Sequence, residues 1–174
     1  MSEDLDFKKR EENRGSSPAD YWPLAALILV SIAAAYAIKV EAQSILAMMH
    51  YFMGFFLCSF ALLKLFNLGA FVDGFHMYDL LARRFRPYGY IYPFIELGLG
   101  LAYFSFWQQQ ITYTLTIIVM AFGSLGVLFA LRRGLDINCP CMGSLLKVPL
   151  STVTLTEDIS MALMAAVMLF MTAT

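Results

Sequence analysis

Charge is what this chain has least of. Asp, Glu, Lys and Arg make up 14% of its residues, against about 25% in an ordinary soluble domain. The 12 basic and 13 acidic residues leave a net charge of −1, which argues against nucleic acid as a partner because no extended basic face is available for its phosphates. Cysteine is scarce as well: three residues leave one over after any pairing, which rules out a structural disulfide framework. Long polar stretches are missing beyond the N-terminus, so there is no room for a separate soluble domain. What remains is hydrocarbon. Sixty per cent of the residues are apolar, arranged in runs near the length of about 20 residues that a bilayer requires. The expectation is an all-α integral membrane helical bundle forming one domain, with no separate catalytic module.

Residues 1–20, "MSEDLDFKKREENRGSSPAD", carry too little apolar surface to offset the entropy of ordering and read as a disordered tail. Five spans follow, at about 22–40, 47–68, 88–107, 111–131 and 158–174. The "AAAYA" in the first run imitates a signal-peptidase site, but the long acid-rich lead-in and span-length run favour an uncleaved anchor. Between the second and third runs, Phe75, Tyr78, Leu81 and Phe85 recur at helical spacing beside arginines, predicting an interfacial amphipathic segment over about 72–86. Basic residues fall in alternating segments: four in the tail, Lys39 near the first turn, then Arg83, Arg84 and Arg86, then Arg132, Arg133 and Lys147. The positive-inside rule places the N-terminus in the cytosol and the segment after Arg133 on the same side.

That segment, "RRGLDINCPCMGSLLKVPLS", holds Cys139 and Cys141 beside Asn138, Gly143 and Pro149. A C-x-C disulfide closes a small ring that is strained and readily reduced, which suits a labile pair. Arg132 and Arg133 favour the reactive thiolate. Two close thiolates also suit a soft ion such as Cu(I) or Hg(II), but are too few for structural zinc. Cys58 stands in line with Gly54 and Ala61, a small-residue packing face, and is either a buried small hydrophobe or a third thiol. Met49, His50 and Met53 at the start of the second run, and Met161, Met164, Met168 and Met171 in the fifth, trace a soft-metal path that packing explains more simply. Asp73 and His76 read as solvated interface residues.

Two ionisable groups lie within apolar runs. Lys64 ends the second and Glu96, in "YPFIELGLG", sits inside the third; both approach the cytosolic side, where they could pair across neighbouring helices. Their role is either a supporting functional charge or a register-fixing pair. Pro93, Glu96 and Gly100 share a face, as in a bent helix packed closely on a partner.

From about His50 onward the chain resembles the MauE/DoxX group of redox-associated membrane proteins. The resemblance is carried by "MGFFLCSFALLKLFNLGAFVDGF", "YDLLARRFRPYGYIYPFIELGLGLAYF" and "CPCMGSLLKVPLSTVTLTEDISM". It implies a four-helix core, here preceded by one N-terminal transmembrane helix, in a bacterial inner membrane. It also implies thioredoxin-like or periplasmic partners and a part in maturing the disulfide-rich small subunit of methylamine dehydrogenase. By position, the family's features fall on Lys64, Pro93, Glu96, Cys139, Cys141 and Gly143. Some chains of this type carry a heavy-metal-associated domain before the membrane part; here it would have to be a separate protein. Three readings stand: thiol–disulfide exchange at the C-P-C pair, soft-metal transfer through that pair and Cys58, and a structural subunit of a larger complex. Their cofactor candidates are a membrane quinone and Cu(I), with no residue pattern identifying a quinone site.

Overall fold

The computed structural model describes residues 21–38, 44–132 and 150–173. The expectations for the 1–20 tail and for Lys39, Arg133, Asn138, Cys139, Cys141, Gly143, Lys147 and Pro149 lie outside those residues. Among the described residues the chain forms six helices: α1 (Trp22–Ile38), α2 (Ile45–Phe66), α3 (Leu68–Tyr78), α4 (Pro87–Phe104), α5 (Gln109–Arg132) and α6 (Leu150–Ala173). Three stretches, Ile45–Phe66, Gln109–Arg132 and Thr154–Thr172, are long and apolar enough to cross a bilayer. Beside them stand the 17-residue α1 and the 18-residue α4, near the lower bound of spanning length.

Local chemistry sets the helix ends. The Ser44 hydroxyl accepts from the Ala47 N–H at 3.2 Å and opens α2. Asn67 closes α2 and opens α3, its side-chain oxygen facing the Ala70 N–H at 3.4 Å. Pro87 sits in the first turn of α4, where its missing N–H costs nothing. Within the spans, the hydroxyls of Thr114, Thr116 and Ser124 donate to carbonyls four residues earlier, so polar side chains cross hydrocarbon without exposed donors.

The bundle is built from two close helix pairs, α2 with α4 and α5 with α6, and α1 lies against α2. Glycine makes the first pair possible. A Cβ on Gly100 would lie 2.6 Å from Cys58 Sγ and 3.0 Å from the Cys58 backbone nitrogen, so α4 touches α2 directly there. The buried core runs through Met53, Leu57, Phe60, Phe71, Tyr103, Tyr113, Met120 and Met168. Met161 is buried too, while Met164 is partly buried and Met171 is 41% exposed, so the methionine stripe of α6 turns from core to lipid.

Two elements differ from expectation. Segment 72–86 is not one interfacial helix: α3 starts at Leu68 and ends at Tyr78, with Phe71, Val72, Phe75 and Tyr78 buried. Its apolar face packs inward because Gly89 of α4 leaves room for Val72 and Phe75. Only Leu81 and Phe85 of the predicted stripe stay exposed, on the turn beyond. Likewise α6 begins at Leu150 and not near Asp158, because Glu157 and Asp158 are buried inside the bundle and do not mark its edge.

Asp79 joins these elements. Its Oδ1 accepts from the N–H groups of Leu81 at 2.9 Å and Ala82 at 2.7 Å, and a Cβ on Gly126 of α5 would come within 3.2 Å of its Cα. Its Oδ2 is buried with no hydrogen-bond partner among the described residues. Burial pushes the carboxyl above its ordinary value, partly opposed by the bonds from Ala82 and Leu81. A carboxyl raised in the fold binds its proton more tightly there than in the unfolded chain. Its contribution is therefore intact below the ordinary carboxylate range and is lost as pH rises through the raised value.

Replacing Gly100 by Ala should destabilise the protein by about 1–3 kcal/mol, seen as a lower melting temperature in lipid nanodiscs. An unchanged melting temperature would show that α2 and α4 can separate freely. Asp79→Asn keeps an acceptor at Oδ1, so thermal melts from pH 5 to pH 8 should show a smaller loss of stability on raising pH than the native chain shows. Identical profiles would mean that Asp79 titrates as an ordinary carboxyl.

Candidate functional site

The centre of the bundle holds charge. Lys64, in the last turn of α2, donates to both carboxylate oxygens of Glu96 on α4, at 2.7 and 2.6 Å. Both side chains are buried, 3% exposed for Lys64 and 0% for Glu96. The antiparallel run of α4 along α2 that sets Gly100 on Cys58 also brings Glu96 to Lys64, near the end where α3 begins. Rings of Phe60, Phe71 and Tyr92 surround the ammonium at 5.8, 5.9 and 5.2 Å and present their negative faces to it. From α6, Glu157 Oε1 reaches to 3.9 Å of the same nitrogen. Its neighbour Asp158 fills the space that Gly123 of α5 leaves open, where a Cβ would meet Asp158 Oδ2 at 2.7 Å. Lys64 thus ties α2 to α4 and α6, while Asp158 brings α5 to the cluster's edge.

A second polar cluster lies toward the other end of α2. His50 is fully buried; its Nδ1–H donates to the Tyr103 carbonyl at 3.0 Å, since a carbonyl can only accept. In the neutral ring Nε2 is then the acceptor, and the Tyr113 hydroxyl donates to it at 2.6 Å. Phe106 stacks on the imidazole at a centroid distance of 4.3 Å. Phe106 and Gln108 both have positive φ, 52° and 33°, so the short α4–α5 turn holds two left-handed side-chain residues in order to place that ring. Both imidazole nitrogens are engaged within the protein.

The structure brings Lys64 and Glu96 into contact and puts Pro93, Glu96 and Gly100 together on the buried face of α4. Of the soft-metal candidates Met49, His50, Met53 and Cys58, His50 has both ring nitrogens hydrogen-bonded to Tyr103 and Tyr113. Met53 is in the core, Met49 is at its edge, and among the described residues no group of three or more His, Cys, Asp or Glu is arranged to hold a metal ion. Cys58 is half-buried and wedged against Gly100. Asp73 is exposed and pairs with Arg86. Cys139 and Cys141 lie outside the described residues, on the segment between the ends of α5 and α6. Sequence reasoning missed Glu157, Asp158, Asp79, Tyr103 and Tyr113. The two acids of α6 had a usable signal, being ionisable groups in an apolar helix. With the fifth span expected at about 158–174, both fall at its boundary, where an acid needs no buried partner.

A groove of about 830 Å³ opens between α4 and α5, lined by apolar side chains such as Ile95, Leu99 and Leu115 together with Trp107. The hydroxyls on its wall, Ser105 and Thr112, already donate to the Ala102 and Trp107 carbonyls, so they offer a ligand no free hydroxyl proton.

Apolar helices of spanning length, packed around a buried lysine–carboxylate centre, define an α-helical integral membrane protein. The family model of the methylamine utilisation protein MauE matches residues 42–171, which covers α2 to α6 and excludes α1, and the chain belongs to this family. No curated protein and no solved structure gives a match.

Removing one member of the ion pair leaves the other buried and uncompensated. Lys64→Met and Glu96→Gln should each cost about 3–5 kcal/mol in unfolding free energy in nanodiscs. The double variant Lys64→Met/Glu96→Gln should cost clearly less than the sum of the singles. Strict additivity would mean that the two side chains do not interact.

Proposed function

We propose that this protein is a membrane thiol–disulfide protein in which Cys139 and Cys141 exchange with a thioredoxin-like partner, in support of protein maturation for methylamine utilisation. The observation that carries this reading is the placement of Cys58. It is half-buried within the membrane-spanning α2, against Gly100 in the α2–α4 contact, which makes the C-P-C pair the better candidate for exchange with a macromolecular partner. Family membership supports the process, through the methylamine utilisation named for MauE.

The exchange balances without a further reagent. One thiolate of the pair attacks the partner's disulfide, forming a mixed disulfide and releasing the partner's other sulfur. The second cysteine then displaces the partner and closes the C-P-C disulfide. Two electrons pass to the partner, and the protons lost by two thiols are regained on two thiols; the reverse direction runs through the same intermediate. Arg132, in the last turn of α5, favours the thiolate form. Lys64 and Glu96 join α2 to α4, and Lys64 reaches Glu157 of α6, the helix that follows the segment. The arrangement we propose has five spans in a bacterial inner membrane, the N-terminus and the C-P-C pair on the cytosolic side, and one transmembrane domain over 21–174. Soft-metal transfer gains no support from the engaged His50 ring.

In cells carrying Cys139→Ser or Cys141→Ser, one of the two should accumulate as a reductant-sensitive adduct with a second protein on non-reducing gels. Absence of any adduct from both variants, with full function of the double Ser variant, would instead make the chain a structural subunit. An impermeant thiol reagent applied to intact cells should leave the pair unlabelled; labelling would invert the proposed orientation.

A further inference from the structure

The turn between α3 and α4 is shaped for a surface that is both greasy and negatively charged. Residues 80–86 leave α3 at Asp79 and return to Pro87, beside α5 at Gly126, six residues before α5 ends at Arg132 and so about 9 Å along its axis. The turn therefore sits near the limit of the hydrocarbon. Its form is fixed from inside. Asp79 Oδ1 accepts from Leu81 and Ala82, the Asp79 and Leu81 carbonyls accept from Arg83 and Phe85, and the Ala82 side chain is buried at 1% exposure.

What the turn shows outward follows from that anchoring. Leu81 and Phe85, one helical turn apart, are 42% and 55% exposed, and Arg83 and Arg84 are exposed between them. Arg86 is already matched by Asp73 of α3, whereas Arg83 and Arg84 have no ion-pair partner among the described residues. The one other carboxyl in the turn, Asp79, is buried and committed to backbone N–H groups.

We propose that this turn binds the headgroups of anionic phospholipids, with Arg83 and Arg84 on the phosphates and Leu81 and Phe85 seated at the acyl boundary. Charge complementarity selects the occupant: two unmatched guanidiniums flanked by apolar side chains fit a lipid phosphate above its own hydrocarbon, which a water-soluble phosphate would not supply. Asp79 fixes the backbone of the turn from inside, and Leu81, Arg83, Arg84 and Phe85 are left exposed on it. The site is separate from the ion-pair centre and independent of the thiol chemistry.

The test is hydrogen exchange at the amides of residues 81–86, with the full chain in nanodiscs of phosphatidylcholine alone and of phosphatidylcholine mixed with phosphatidylglycerol. The native protein should exchange more slowly there with phosphatidylglycerol present, and inorganic phosphate added to neutral discs should not reproduce the effect. Arg83→Gln and Arg84→Gln should each lower the apparent affinity for phosphatidylglycerol about five-fold, read from protection against lipid fraction, and the double variant should abolish protection. Arg86→Gln should retain it. Melting in neutral discs checks that the exposed substitutions leave the fold intact; should the double variant melt early, the two single variants carry the comparison. Equal exchange in the two lipids, or protection that survives in the folded variants, overturns the proposal.

Discussion

Everything in the bundle is arranged around the burial of Lys64 and Glu96. A lysine and a glutamate taken out of solvent each lose several kcal/mol of hydration, which their mutual attraction recovers only in good geometry with the remaining surfaces matched. The observed contact supplies that geometry, with one ammonium centred on both carboxylate oxygens. Three aromatic rings accept the residual positive field, and Glu157 adds a second negative group at the limit of ion-pair distance. These requirements propagate outward. Glu96 can reach Lys64 only if α4 lies directly on α2, which requires no side chain at position 100. Glu157 can face the pair only if α6 starts well before it, and Asp158 then needs the hollow at Gly123.

The His50 cluster is the neutral counterpart. It joins the same helices α2 and α4 to α5, but through hydrogen bonds to a carbonyl and a phenol, with no net charge required. α2 is therefore held at two levels by different physics: an ionic contact near its C-terminal end and a hydrogen-bonded imidazole near its N-terminal end. The helix that carries both is also the one against which α1 packs. α1 precedes the residues that match the family, and it packs against α2 with Ser31 and Ala35 buried.

Much of this was readable in the residues. An all-α membrane protein follows from apolar runs and sparse charge, and the MauE/DoxX resemblance from segments that span α2 to α6. Lys64 and Glu96 stand out because a charge in a greasy run needs a partner, and each was the other's nearest candidate in kind. Other features could not be read in advance. The period of Phe75, Tyr78, Leu81 and Phe85 describes a helix facing a membrane surface equally well as a short helix facing α4; only the hollow at Gly89, a tertiary fact, decides between them. Glu157 and Asp158 look like a boundary because acids usually mark one, and their burial depends on a lysine about ninety residues away in sequence. His50 beside Met49 and Met53 suggests soft-metal ligation until Tyr103 and Tyr113, from two other helices, occupy both its nitrogens.

The α4–α5 turn has a bearing on how the chain is assembled. Phe106 and Gln108 hold backbone angles that side-chain-bearing residues seldom adopt, and what Phe106 obtains in return is the face of His50, a residue on a helix made much earlier. A turn completed by a distant ring has no reason to settle while its two helices stand alone. Synthesis from the N-terminus delivers α2 first, so the imidazole is already present when the hairpin emerges. The order of the helices along the chain is thus also an order of templates, in which the early helix shapes the connection between the later two.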